Sequence, residues 1–291
     1  KHFPKDQYVY SSEIEKARAI KEKSNTNGSR LWWKDHVGID YVVPYSRQDS
    51  LKYVLDGNVK QEFREGHIYP RKCKNTTSLI PEKIKLDKTF GFVVGAYIAE
   101  GCCTDTYVAI TNNNTDYRNK IIEFANKYNI GYHEPCEFKR LSDKPQYDVR
   151  LHSTLFAKLI KETCGKLAHN KKLPEFAYGA TNEFLCGLLD GYFSGDGTVS
   201  IKNNSIGATS VSRELLIGIS TILTRFGIMS KVGTNSQVLK NNIGTKNMKI
   251  CHTITIRNEN VNKFRQNISL TIKDKQIKMD NVVTKVFTKG N

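Results

Sequence analysis

Two acids, Glu100 and Asp196, are each followed by glycine. Each closes a stretch of about a dozen residues: Phe90 to Gly101 (FGFVVGAYIAEG) and Cys186 to Gly197 (CGLLDGYFSGDG). The stretches superimpose at a constant offset of 96 residues, which marks an internal repeat. Carboxylates are hard oxygen donors. A pair of them brought together can hold a divalent cation, and such a cation activates water and stabilises a leaving oxygen in phosphodiester hydrolysis.

Each stretch reads as a helix of about three turns. Asp87 and Thr181 stand where N-caps belong, and Gly101 and Gly197 are expected as left-handed residues just past the helix ends. Gly91, Gly95 and Ala99 recur every four residues, as do Gly187, Gly191 and Gly195, so each set shares one helix face. Glycine inside a helix costs about 1 kcal/mol against alanine. Close backbone approach is a sufficient reason for it, so the two faces are predicted to pack on each other and bring the C-terminal ends together. A carboxylate there meets the negative end of the helix dipole, and a second acid repels it. A bound cation would relieve both. The competing reading makes the helices plain core and the acids cap-adjacent surface groups; one such helix alone fits it, two in register inside a longer repeat do not. A membrane-dimer reading of the Gly-xxx-Gly spacing fails on length, since a span needs about 20 apolar residues.

The paired stretches resemble the motifs of the LAGLIDADG homing endonucleases in their single-chain form, with Glu100 and Asp196 at the catalytic acid positions. Ile98 and Ser194 stand where the motif has its first, structural acid, and glutamate in copy one is a substitution the family commonly shows. The run LIPEKI at 79–84 resembles the lead-in of intein-borne and intron-borne members, and the likeness covers roughly residues 80 to 285. The resemblance implies Mg²⁺, with Mn²⁺ able to substitute, held by Glu100 and Asp196 with main-chain help at Gly101 and Gly197. It implies double-stranded DNA as partner, a long asymmetric target and a staggered cut with 3′ overhangs. It also implies a basic residue near the end of each repeat that approaches the scissile phosphate: Lys171 in NKKLP (170–174) and Lys275 in KDKQ (273–276). An intein needs a nucleophilic first residue and usually a terminal His-Asn. Here Lys1 begins the chain and Lys-Gly-Asn ends it, so the expectation is an endonuclease domain, whether or not it came from an intein. A catalytically silent DNA-binding regulator or an RNA maturase on the same fold is the rival reading; a metal-free core with a basic surface is another.

Composition agrees with a polyanionic partner. The 291 residues carry a formal net charge of +16, with Lys+Arg 45 against Asp+Glu 29, and the excess lies mainly in residues 1–89 and 179–291. Such a surface attracts nucleic acid. No apolar run reaches transmembrane length and the N-terminus lacks a signal-peptide core, so the chain reads as soluble, intracellular, free of membrane and, with both motifs in one chain, monomeric. Seven cysteines (73, 102, 103, 136, 164, 186, 251) show neither zinc spacing nor a disulfide framework and read as reduced thiols. His169-Asn170 matches half of another nuclease motif, with no partner histidine at useful spacing.

The expected fold is α+β: two pseudo-symmetric αββαββα repeats, forming a saddle of two antiparallel sheets, behind an N-terminal extension. The divisions are 1–85, an accessory region with a possible DNA-contacting role, then 86–178 and 179–291 as repeats one and two. Within the first part, Ser11–Lys23 and Asp49–Leu55 read as helices and Val37–Pro44 as a strand. Alternating strands present one polar face each. Tyr147, Val149 and Leu151 oppose Asp148, Arg150 and His152, while Ile254 and Ile256 oppose Thr253, Thr255 and Arg257. β-Ribbons fit the major groove, so the candidate base readers are Lys139, Arg150, His152, Lys231, Gln237, Lys249, Thr253 and Arg257.

Overall fold

The computed structural model describes the backbone of residues 8–10, 31–36, 39–44, 67–68, 80–81, 83–138, 146–240 and 246–283, and side chains over 84–133, 146–153, 156–235 and 250–283. The helices predicted at 11–23 and 49–55 lie outside the described residues. In this first part β1 (Tyr8–Tyr10) pairs antiparallel with β6 (Lys83–Lys85). β2 (Leu31–His36) and β3 (Ile39–Pro44) form a hairpin, so the predicted strand at 37–44 starts two residues later and has the Trp32-Trp33 segment as its partner. β4 (His67–Ile68) pairs with β5 (Ile80–Pro81).

Repeat one opens with α1 (Lys88–Glu100), whose N-cap Asp87 accepts from the Phe90 amide at 3.0 Å as predicted. There follow β7 (Gly101–Cys103), β8 (Val108–Thr111), α2 (Thr115–Lys127), β9 (Tyr132–Phe138), β10 (Gln146–Leu151) and α3 (Thr154–Cys164). A 3₁₀ turn at Ala168–Asn170 and the short α4 (Phe176–Gly179) lead into repeat two. Its elements are α5 (Asn182–Gly195), β11 (Gly197–Ser200), β12 (Ser205–Ser210), α6 (Arg213–Thr224), β13 (Ser230–Lys240), β14 (Lys246–Arg257), α7 (Glu259–Asn267) and α8 (Lys273–Asp280). Thr181 caps α5 through the Phe184 amide, again as predicted. The strands group as β7-β8-β10-β9 and β11-β12-β14-β13, both antiparallel throughout, so the same α+β unit is used twice. The sequence reading overlooked β7, α4 and α8, which are short or strongly polar.

Alternation holds in β14, where Ile254 and Ile256 are buried and Arg257 is exposed. In β10 Val149 and Leu151 are buried as expected and Arg150 and His152 half-buried; Asp148, on the polar face with them, is buried too and pairs with Arg150 Nε at 2.8 Å. The pairing of β10 with β9 slips between Asp148 and Arg150, and the extra residue lies on β9, which runs from Cys136 to His133 over the same step. One apolar core runs through both repeats, with Phe90 stacked on Phe124 and Phe176, and Phe193 meeting Phe264 edge-on. Among the described residues no helix is long and apolar enough to cross a membrane.

Candidate active site

α1 and α5 meet glycine face to glycine face. A methyl carbon placed on Gly95 would lie 2.0 Å from the Leu188 carbonyl oxygen, one on Gly187 2.0 Å from that of Lys88, one on Gly91 2.1 Å from that of Phe184 and one on Gly191 2.3 Å from that of Phe92. Each helix's backbone therefore fills the space a side chain would take on the other. At the C-terminal end of this seam a methyl on Gly195 would meet Ala99 Cβ at 2.6 Å and Glu100 Cγ at 3.2 Å. That contact closes the seam beside the acids.

Gly101 and Gly197 are not left-handed residues, contrary to expectation. Gly101 has φ −86° and ψ 153°, an extended backbone that opens β7, and Gly197 opens β11 without a positive φ. They are required for space. A methyl on Gly101 would sit 2.6 Å from the Tyr97 carbonyl oxygen, and one on Gly197 2.2 Å from that of Phe193. Each strand leaves its helix folded tightly against the last turn.

Glu100 is the last residue of α1 and keeps an exposed side chain; Asp196 is the half-buried C-cap of α5. Although part of the side chain is open to solvent, the protein around the Glu100 carboxyl desolvates it and raises its pKa above the ordinary range, with Lys275 and Lys171 pulling the other way. Asp196 is pushed up to about 7, first by burial and then by the Glu100 charge, and the same two lysines oppose the rise. Both acids stay raised although two cations face them, chiefly because burial penalises their charged forms.

The predicted lysines converge here, each on the helix of its own repeat. Lys171, buried, donates from Nζ to the Tyr97 carbonyl at 3.0 Å and the Ala99 carbonyl at 3.3 Å. Lys275 donates to the carbonyls of Ser194 at 2.6 Å, Gly195 at 2.7 Å and Phe193 at 3.4 Å. Orphan carbonyls and the negative dipole end are thereby met by an ammonium group in each repeat. Burial lowers both lysine pKa values, and the fields of Asp196 and Glu100 raise them.

A divalent cation fits this donor set. Among the described residues no three His, Cys, Asp or Glu side chains gather as a metal cage. Two hard carboxylates, completed by water and substrate phosphate oxygens, are what Mg²⁺ ordinarily takes.

The candidate base readers are spread over the sheets. Lys231, Thr253 and Arg257 line one groove of about 550 Å³ on the polar side of β13 and β14, together with Ser230, Asn235 and Thr255. Gln237 and Lys249 are directly opposed in register across these two strands. Arg150 bonds through Nε to Asp148 at 2.8 Å and lies over the Tyr107 ring. His152 is half-buried between Tyr107 and His133, its Nε2 without a hydrogen-bond partner among the described residues, and burial lowers its pKa. Lys139 lies outside the described residues.

Sequence reasoning missed Asp190. It lies inside α5, 2% exposed, and accepts four hydrogen bonds: from Ser194 Oγ at 2.8 Å, the Thr271 amide at 2.7 Å, Thr271 Oγ1 at 2.7 Å and Lys120 Nζ at 2.9 Å. The signal was present, since a lone acid two residues after Leu188 in an otherwise apolar helix is rarely buried without partners. Tyr117 was also missed; its buried hydroxyl crosses from α2 to the Gly191 carbonyl at 2.8 Å.

Residues 183–269 match the family described as LAGLIDADG-like domain. The DNA-directed RNA polymerase subunit Rpo1C of Methanocaldococcus jannaschii is 34% identical over 260 residues, covering 88% of this chain and 28% of that protein. The probable translation initiation factor IF-2 of the same organism is 28% identical over 204 residues, covering 64% of this chain and 17% of that protein. The chain thus spans under a third of the length of either relative. Among solved structures, I-DmoI in complex with DNA and Ca superimposes with a TM-score of 0.46 at 13% identity, over 63% of this chain and 90% of that one.

Proposed function

We propose that this chain, whose residues 183–269 match a LAGLIDADG-like domain, is a site-specific, double-strand DNA endonuclease that hydrolyses phosphodiester bonds with Mg²⁺, or Mn²⁺ in its place. The observation that carries this reading is the convergence of Glu100, Asp196, Lys171 and Lys275 at the joined ends of α1 and α5.

Glu100 and Asp196 are the residues that would hold the ion, with the main chain at Gly101 and Gly197 adjoining them. When bound, the ion supplies Lewis-acid activation of water and charge stabilisation at the leaving oxygen. Lys171 and Lys275 fix the two helix ends and offer positive charge toward a phosphate that is gaining negative charge. The glycine seam keeps this constellation rigid by leaving no side chain to rotate. Lys231, Thr253 and Arg257 in the groove of repeat two, with Arg150 held by Asp148 on repeat one, serve as base or phosphate contacts. The two polar faces differ, so the target is asymmetric and one chain suffices. Residues 1–85 act as an accessory DNA-contacting region, ahead of repeats at 86–178 and 179–291. The long relatives are consistent with an inserted, intein-type origin.

The test is incubation with a randomised duplex library and Mg²⁺, repeated with Glu100→Gln and with Asp196→Asn. Cuts at one recurrent sequence, each substitution lowering the rate by about a hundredfold or more, are expected. Sequence-specific binding with no cut in Mg²⁺ or Mn²⁺ replaces the nuclease with the regulator.

A further inference from the structure

We infer that Asp190 is the positioning residue that holds Lys275 at the end of α5, a role with no equivalent in repeat one. This rests on the nuclease reading only for its consequence in catalysis. Asp190 Oδ1 accepts from Ser194 Oγ and from the Thr271 amide, and Oδ2 accepts from Thr271 Oγ1 and Lys120 Nζ, so the carboxylate has its acceptor capacity filled. Thr271 N also lies 3.0 Å from Ser194 Oγ. Two residues later α8 begins, with no side-chain N-cap of its own. Gln276 turns back to accept from the Leu270 amide at 2.6 Å, and the Lys275 amide donates to Ile272 at 2.9 Å. The segment 270–276 is thus a closed turn fastened to α5 through Asp190, and Lys275 reaches the carbonyls of 193–195 from it.

At the 96-residue offset Asp190 matches Val94, which is wholly buried. Lys171 is secured otherwise. The Lys172 amide donates to Cys164 at 3.0 Å, Ser212 Oγ donates to the Lys171 carbonyl at 2.7 Å, and Tyr97 OH donates to the Gly165 carbonyl at 2.7 Å. Loss of the Asp190 anchor therefore releases one lysine and leaves the other in place.

The experiment compares Asp190→Asn, Thr271→Val and Thr271→Ser in the full chain. The first readout is backbone amide hydrogen exchange without DNA. Asp190→Asn and Thr271→Val should raise exchange over residues 271–280 about tenfold or more while leaving 88–100 unchanged, and Thr271→Ser, which keeps the hydroxyl, should match the parent. The second is strand-resolved cleavage. Both disruptive variants should slow, by about tenfold to a hundredfold, the same strand that Lys275→Met slows, with the Lys171→Met-sensitive strand and DNA affinity within about twofold of the parent. Unchanged exchange at 271–280 overturns the anchor. Equal slowing of both strands shows general loosening and overturns the specific role. A parent chain that cuts no duplex removes the nuclease reading and the strand assignment with it, while the exchange result still decides whether Asp190 fastens the Lys275 segment.

Discussion

The two repeats share a skeleton and differ in how they brace it. In both, a capped helix lays glycines against the other's carbonyls, ends in an acid and receives a lysine on its final carbonyls. Beyond that they diverge. Repeat one ties its lysine segment with Tyr97 OH and Ser212; at the position matching Tyr97 repeat two has Phe193, which has no hydroxyl, and uses the buried Asp190 cluster instead. The sheets diverge too, with β13 and β14 of 11 and 12 residues against 7 and 6 for β9 and β10. Features fixed by backbone contact or by the chemistry at the helix ends appear twice, whereas features that merely hold those in place have more than one solution.

The strongest way to break that comparison is to bulk up the seam. Gly95→Ala or Gly191→Ala puts a carbon within 2.0 to 2.3 Å of a carbonyl oxygen on the opposite helix, and neither backbone can yield without separating the acids. Each should destabilise the chain by about 3 kcal/mol or more, read as a shift in chemical denaturation midpoint. Gly179→Ala is the control: nothing lies within 4 Å of the added methyl, and stability should change by no more than about 1 kcal/mol, upward if at all. Equal effects at the three positions would mean the seam is not the tight contact described.

A second measurement asks whether the lysines are equivalent. Lys171→Met and Lys275→Met each strip the ammonium from one helix end, and each should slow mainly one strand, by about a hundredfold. The nicked intermediates should carry opposite strands. A shared strand would show that both lysines serve one scissile phosphate.

Much of this was legible in the sequence, for particular reasons. The helices were visible because caps and i, i+4 glycines are local signals, and the seam because interior glycine is costly enough to need a cause. The lysines were visible only through the family resemblance, since in so basic a chain nothing local separates Lys171 from the exposed Lys172 beside it. The glycines after the acids were assigned the wrong conformation because a C-terminal glycine usually signals positive φ, and here it signals a lack of room. The burial of Asp148 on the polar face of β10 was not foreseen because alternation reports which face a side chain takes and not what covers it. Asp190 was overlooked because its partners, Lys120 and Thr271, lie 70 and 81 residues away.

The acids themselves offer a third test. Asp196 binds its proton more tightly in the folded chain, near pH 7, than when unfolded, at 3.8. Its contribution is therefore complete below about pH 4 and fades as the pH rises to 7, where the ionised acid faces Glu100. Asp196→Asn, which cannot ionise, should gain stability over the parent by about 1–2 kcal/mol between pH 5 and pH 8, after allowance for partial solvent screening. Adding Mg²⁺ at pH 8 should raise the parent's Tm and leave that of the variant nearly unmoved. A parent whose Tm relative to the variant is flat from pH 5 to 8 would show that the acids are not coupled.

The smallest expected effect sharpens the comparison most, because it converts one brace into the other repeat's residue. Tyr97→Phe reproduces Phe193 in repeat one and deletes the hydroxyl that donates to the Gly165 carbonyl at 2.7 Å and also contacts Cys103 Sγ at 3.1 Å. Phenylalanine keeps the packing of a wholly buried ring, so the loss is confined to hydrogen bonding and to one carbonyl left without that donor. About 1–2 kcal/mol of stability should go, measured by denaturant titration. Gly165 sits at φ +79°, where a methyl would meet the Asn170 carbonyl oxygen at 2.0 Å, so the turn that delivers Lys171 has little freedom of its own. The Lys171-dependent strand should therefore slow by only a few-fold, well short of the loss expected on removing Asp190 from repeat two. A loss as large as that one would mean that the two lysine segments lean equally on a single hydrogen-bonded anchor, and that the difference in bracing is one of residue type alone.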